Sequence, residues 1–286
     1  MILKLFGPSA EYLGEHWRSK LEERAQRNAG RVASRAIEKL GSRIDQPGEI
    51  PPRALRGILE EAQYSEDEVS VEYVSGVLAS SRTPDGKDDR ATSITATISR
   101  LSSFSLLAHY IWYTEIKRLL HDVDQPDIAN LGLDRAQIFM PFSTFRGAVS
   151  DERANDTGNL MHAIHYLEKE SLISVPAYGA RHMIRNYLMS MTTQHVEAVP
   201  EEGGMILAPT LVGMDLYLWS QGLGGTTTYM FFDETFKPEP IPDVDIPEGA
   251  QTVAQMFRDS GLGTQGFIES YRPPGLSDFT GPASGA

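Results

Sequence analysis

Residues 11–40 read EYLGEHWRSKLEERAQRNAGRVASRAIEKL, and their periodicity decides the fold class. Leu13, Trp17, Leu21, Ala25, Val32, Ala36 and Leu40 fall on one broad apolar stripe at helical spacing, so the stretch reads as one long amphipathic helix. Gly30 sits inside it as a point where the helix could bend. Lys20, Arg24, Arg27, Arg31 and Arg35 recur at spacings of four, three, four and four residues, which gathers five cations on one face. We read that face as opposite the apolar stripe. As a functional feature it would contact an anionic partner, whether RNA, DNA or lipid. Glu22, Glu23 and Glu38 temper it, and the plainer reading is a solvated surface.

Helical patterns continue outward from this stretch. Gly41 is placed as a helix stop, and PPRALRGILEEAQ, from Pro51, opens with prolines suited to a first turn. Leu55, Ile58, Leu59 and Ala62 share its expected inner face. Ser65 and Glu68 have capping-box spacing, so Glu66, Asp67 and Glu68 read as first-turn dipole partners rather than catalysts. The helix they open carries Val69, Tyr73, Val74, Val77 and Leu78 inward. TPDGKDD, residues 83–89, is a turn; a helix marked by Ile94, Ile98 and Leu101 follows, then a strongly apolar one from Phe104 to Leu120. These elements predict a helical domain over residues 1–125.

Beyond a linker around Asp122 to Asn130 the pattern changes. QIFMPF, Gln137 to Phe142, reads as a short strand, Gly158 to Ser171 as a helix, and Arg181 to Ser190 as another. HVEAVP and MILAPT flank the turn-rich EEGG and predict a hairpin, with Thr210 capping the helix LVGMDLYLWSQG. Together they predict a winged-helix-like α+β unit over residues 126–236. From 237 to 286 the chain is rich in proline, glycine and acid and reads as an extended, partly disordered tail, with one short helix at Val253 to Arg258. Phe257, Phe267 and Tyr271 are its candidate anchors on a partner. The fold class is therefore mainly α.

Composition narrows the function classes. Of the 286 residues 41% are hydrophobic and 23% charged, as in ordinary globular proteins, and none is cysteine, which removes disulfides, thiolate metal sites and cysteine nucleophiles. A formal net charge of −13 opposes nonspecific attraction to nucleic acid or anionic membrane. The start, MILKLFGPSAEYLGEHW, lacks the apolar core of a signal peptide, and the stretch Leu101 to Leu120 carries His109, Glu115, Lys117 and Arg118. Membrane insertion is not expected, and a cytoplasmic location is.

The chemistry-bearing patterns are weak. Gly261, Gly263 and Gly266 spell a dinucleotide fingerprint without the strand and helix that it needs. His162 and His165 are three apart on a helix, with Asp156, His182 and His195 in the same region, but they match no metal motif. No P-loop and no nucleophile elbow occurs. No catalytic residue, metal ligand or cofactor is assigned, and an enzyme would have to use a site near His162 and His165. The helix best placed to enter a DNA groove, Asn159 to Ser171, offers Lys169 between Glu168 and Glu170 and no arginine, so a protein-contact role is expected of that unit.

Three runs carry a resemblance: GPSAEYLGEHW, IPPRALRGILEEAQYSEDEVSVEYVSGVLASSR and ATSITATISRLSSFSLLAHYI. With the later IHYLEKESLIS and ILAPTLVGMDLYLW they resemble the abortive-infection alpha family over about Leu5 to Gly222. The segment from Gln125 to Asn159 matches that pattern poorly, and the tail from Lys237 lies outside it. The resemblance implies bacterial defence against phage within a multi-gene system. It implies a protein partner, either a neighbouring component or a second copy, and supplies no catalytic residue to carry over. The competing expectation is a toxic effector that engages membrane or nucleic acid through Lys20 to Arg35.

Overall fold

The computed structural model describes residues 10–120, 132–149, 155–192, 199–246 and 248–262, with side chains in the first helix from Glu22 onward. Described residues are mainly helical, with one small antiparallel sheet, and form two compact units. Met1–Ser103 joins Trp219–Gly225 in the first, and Phe104–Leu218 joins Thr226–Ala286 in the second.

The first unit begins with α1 (Ala10–Leu40), followed by a short 3-10 turn at Gly41–Asp45. Gly41 adopts φ +51°, the left-handed conformation that lets a helix stop there. Helices α2 (Pro52–Tyr64), α3 (Glu68–Ser80) and α4 (Ala91–Ile98) follow. Pro51 and Pro52 stand at the entry to α2 as expected. The cap of α3 is Asp67, whose carboxylate accepts from the Ser70 backbone N–H at 2.9 Å and the Ser70 hydroxyl at 2.7 Å. Ser65 instead donates to the Glu61 carbonyl at 3.1 Å, so the expected Ser65–Glu68 box is replaced by a cap two residues later.

Helix α3 is buried on nearly every side, with Tyr73 and Val77 fully inside. Residues 219–225 lie in this unit. The Ser80 hydroxyl donates to the Trp219 carbonyl at 3.3 Å and accepts from Gly224 N–H at 2.8 Å. Gly76 is required by this closeness, since a Cβ there would overlap the Ser220 carbonyl.

The second unit starts with α5 (Ser103–Leu120), a helix buried almost all round. The short α6 (Gly132–Arg135), β1 (Ile138–Pro141), α7 (Phe142–Ala148), α8 (Thr157–Lys169), β2 (Ile173–Gly179), α9 (Arg181–Ser190), β3 (Gly204–Pro209) and α10 (Leu211–Ser220) follow. A 3-10 turn at Thr228–Phe232, β4 (Gln251–Thr252) and α11 (Val253–Asp259) complete it. The sheet order is β2-β3-β1-β4, every pair antiparallel. The break between units thus falls at Ser103/Phe104, ahead of residue 125. Burial explains this: α5 resembles its helical predecessors in period, but it is buried almost all round, His109, Glu115 and Lys117 included, and belongs to the sheet-bearing unit.

The expected hairpin is corrected. β3 uses one edge for β1, with Phe139 across from Ile206, and the other for β2, with Ile173 across from Pro209. Neither edge is left for HVEAVP, of which Val199 and Pro200 are described and form no strand. The central strand is buried throughout, and both its neighbours come from further back in the chain. The winged-helix order predicted from a local hairpin therefore does not follow from these strand pairings.

The tail is built into the second unit as far as Leu262. The Tyr110 hydroxyl donates to the Glu239 carbonyl at 3.3 Å and accepts from Ile241 N–H at 3.2 Å. Arg118 donates to the Ala250 carbonyl at 3.3 Å, and just ahead of the tail Lys117 donates to the Asp233 carbonyl at 2.6 Å. β4 pairs Thr252 with Ile138, and Val253, Met256 and Phe257 enter one core with Phe139, Ile184, Leu188 and Ile206.

Candidate interaction surface

Three of the five cations on α1, Arg24, Arg31 and Arg35, form ion pairs within their own unit. Arg24 pairs with Glu66, and Arg31 reaches the Glu68 carboxylate at 2.5 Å and the Glu66 carbonyl at 2.9 Å. Arg35 grips Glu72 through two nitrogens, at 2.8 and 3.3 Å, and also reaches Glu38 at 2.8 Å. Lys39 joins the same Glu72 carboxylate. The Glu72 side chain is 3% exposed and that of Lys39 0%, so this end of the ladder is a buried cluster in which one carboxylate is shared by two cations. At the other end the Arg24–Glu66 pair is half exposed.

The reason lies in helical geometry. Arg24 is one turn from Leu21, and Arg35 one turn from the buried Val32. The cations therefore border the apolar stripe, and an opposite-face placement is corrected. A helix that packs on the stripe meets the cations too, and α3 presents Glu66, Glu68 and Glu72 at that border. Arg27 is exposed and has no ion pair among the described residues; the side chain of Lys20 lies outside them. Among the described side chains the ion pairs with α3 interrupt the basic face.

The other candidate residues are placed individually. Phe257 is 2% exposed and packs in its own unit's core, so it is unavailable as an anchor for a partner. Phe267 and Tyr271 lie outside the described residues, as do His195, Gly263 and Gly266. His162 stacks on Tyr166 with ring centroids 4.2 Å apart, and His165 stands 3.4 Å from the Tyr178 hydroxyl. Among the described residues no group of three or more histidines or carboxylates is placed to hold a metal.

In the second unit the buried polar groups belong to packing. The Tyr113 hydroxyl donates to the Leu172 carbonyl at 2.6 Å and accepts from Thr210 N–H at 3.0 Å. The Thr210 hydroxyl caps α10, accepting from Gly213 N–H at 3.0 Å while donating to the Ser171 carbonyl at 2.6 Å. His109 stacks on Tyr113 with centroids 4.4 Å apart. Burial lowers the imidazole pKa to about 3 against the opposing pull of a hydrogen bond with the Gly213 backbone, so the ring is neutral at pH 7.

A surface that the periodicity misassigned lies on α2. Ala54, Ile58 and Ala62 form its buried row, whereas Leu59, expected inside, is 44% exposed. The half-buried Leu55 lies one turn before the exposed Leu59, beside Arg56 and Glu60. Pro52, Leu55, Arg56, Leu59, Glu60 and Gln63 line a shallow groove, and Gln63 also borders a notch with Glu22, Ala25, Gln26 and Ala29. The Arg56–Glu60 spacing beside two leucines is the sequence signal that could have marked it.

No protein-family model, curated protein or solved structure matches this chain. Among the described residues no helix is long and apolar enough to cross a membrane.

Proposed function

We propose that this chain is a bacterial antiphage protein of the abortive-infection type, acting in the cytoplasm as a non-catalytic sensor, adaptor or effector subunit through protein contacts. The supporting observation is that, of the first two segments resembling the abortive-infection alpha family, one opens α1 and the other builds α2 and α3. In that bundle three of the five cations of the strongest charge pattern are paired internally while Leu59 stays exposed on α2. An exposed leucine beside a half-buried one, with flanking charge, suits protein recognition better than binding to phosphate.

In this reading the second unit is a variant winged helix in which α9 separates the two paired strands β2 and β3. It serves as a contact module rather than a DNA reader, because α8 carries Lys169 between two glutamates and no arginine. The test is phage plating on cells with and without the gene in its native neighbourhood. Reduced plating with the gene present is expected, and equal plating across a phage panel overturns the proposal.

A further inference from the structure

We infer that the exposed ridge of α2 is a self-association surface, and that its occupant is the same ridge of a second copy packed antiparallel across a twofold axis. The starting point is the exposed Leu59, with the half-buried Leu55 one turn before it, on a groove beside the buried row Ala54–Ile58–Ala62. A half-exposed leucine on a 13-residue helix is unremarkable alone. What selects the occupant is the charge pattern beside it.

Arg56 and Glu60 are four residues apart, so both lie on one flank of the ridge, and both are exposed without an ion pair among the described residues. In an antiparallel helix pair related by a twofold axis, each flank faces its own copy with the direction reversed. An axis at the level of residue 58 sets Arg56 opposite Glu60 of the copy and Glu60 opposite Arg56 of the copy. Two ion pairs thus form from one sequence pattern, with the leucines of the two copies staggered by two residues, about 3 Å along the helix. The same register sets Arg53 opposite Gln63, at the notch that Glu22 borders. A parallel copy would instead turn the two Arg56–Glu60 flanks to opposite sides of the contact and form neither pair.

The overall charge of −13 per chain opposes association at long range, but α2 itself balances Arg53 and Arg56 against Glu60 and Glu61. The contact is local, flat and short, about 20 Å along the helix at 1.5 Å per residue, so a dimer of micromolar rather than nanomolar stability is expected.

This inference deepens the protein-contact reading of the first unit and rests on it; the two fail separately, because self-association is measured on the purified chain and defence on phage. Sedimentation of the full chain from about 1 to 100 µM should show a monomer moving to a species of twice 31.6 kDa. Leu59→Glu should leave a monomer throughout, with unchanged circular dichroism and melting temperature because the side chain is on the surface. Arg56→Glu alone should weaken the dimer about tenfold, and Arg56→Glu combined with Glu60→Arg should restore it to within about threefold. A wild-type chain that stays monomeric at 100 µM overturns the proposal. So does a dimer indifferent to Leu59→Glu, or a charge swap that fails to recover what the single reversal loses.

Discussion

Two buried groups, one in each unit, are accommodated in opposite ways. In the first, a carboxylate is taken out of water with its charge intact and matched by two cations, Arg35 and Lys39 on Glu72. In the second, burial strips the charge, and His109 sits neutral on Tyr113 while the tyrosine hydroxyl satisfies two backbone groups. Charge compensation requires partners at fixed spacing on two helices. Neutralisation requires only that the site be dry. The first arrangement is therefore sensitive to deletion of one partner, and the second to acid.

The largest expected effect comes from breaking the compensated cluster. Glu72→Gln leaves the buried Lys39 ammonium and Arg35 without their common carboxylate, which should cost about 3–5 kcal/mol in urea denaturation. Pairing that change with Lys39→Met should recover a large part of the loss, since removing both buried charges is far less costly than removing one. If the single variant is as stable as wild type, the cluster is not holding α1 to α3.

Acid should act on the other unit. The His109 pKa falls from the ordinary 6.5 to about 3 in the folded chain. Above pH 6.5 the ring is neutral folded and unfolded, and its protonation contributes no pH dependence. Between 6.5 and 3 the unfolded chain takes up a proton that the folded one refuses, and stability falls by about 1.4 kcal/mol for each pH unit. His109→Gln should flatten that slope relative to wild type over the same window, whatever it does to stability at pH 8. Equal slopes for the two chains would contradict a buried neutral imidazole.

Tyr113→Phe is expected to have a smaller effect, about 1–3 kcal/mol, by leaving Thr210 N–H and the Leu172 carbonyl without the hydroxyl between them. The check is thermal melting at neutral pH, where His109 contributes no pH dependence, and a change below about 0.5 kcal/mol would show that water replaces the hydroxyl.

How much of this was legible in the sequence depended on the range of the interaction. Helix positions followed from period and punctuation: α1, α2, α9 and the Thr210 cap are local decisions, made by neighbours three or four residues apart. Strand partners are not local. β3 was readable as a strand from MILAP, but its neighbours Ile138–Pro141 and Ile173–Gly179 are chosen by burial on both edges, and the adjacent HVEAVP was the wrong guess. The tail misled for a related reason. Its proline and acid content resembles that of free chain, yet Tyr110 and Arg118 of α5 bind its backbone from more than a hundred residues away. The cationic stripe was legible as a pattern, and what it meets was not, because Glu66, Glu68 and Glu72 become its partners only when α3 packs beside α1.

The smallest effect tests the outer rung of that ladder. Arg24 and Glu66 are each about half exposed, 53% and 50%, so water and salt screen their attraction and the pair should be worth less than about 1 kcal/mol. Arg24→Ala should therefore shift the melting temperature only slightly at low ionic strength and not at all in 1 M salt, while Glu72→Gln stays destabilising in both because its cluster is sealed from counterions. The contrast discriminates between two views of α1. If the cations serve chiefly to fix α3, stability loss should rise from Arg24 to Arg31 to Arg35 as exposure falls from 53% to 39% to 28%. If instead the stripe is kept for an external anion, Arg24→Ala should abolish binding to a heparin column or to anionic vesicles without any such gradient, and the ladder would then be incidental to why these residues are there.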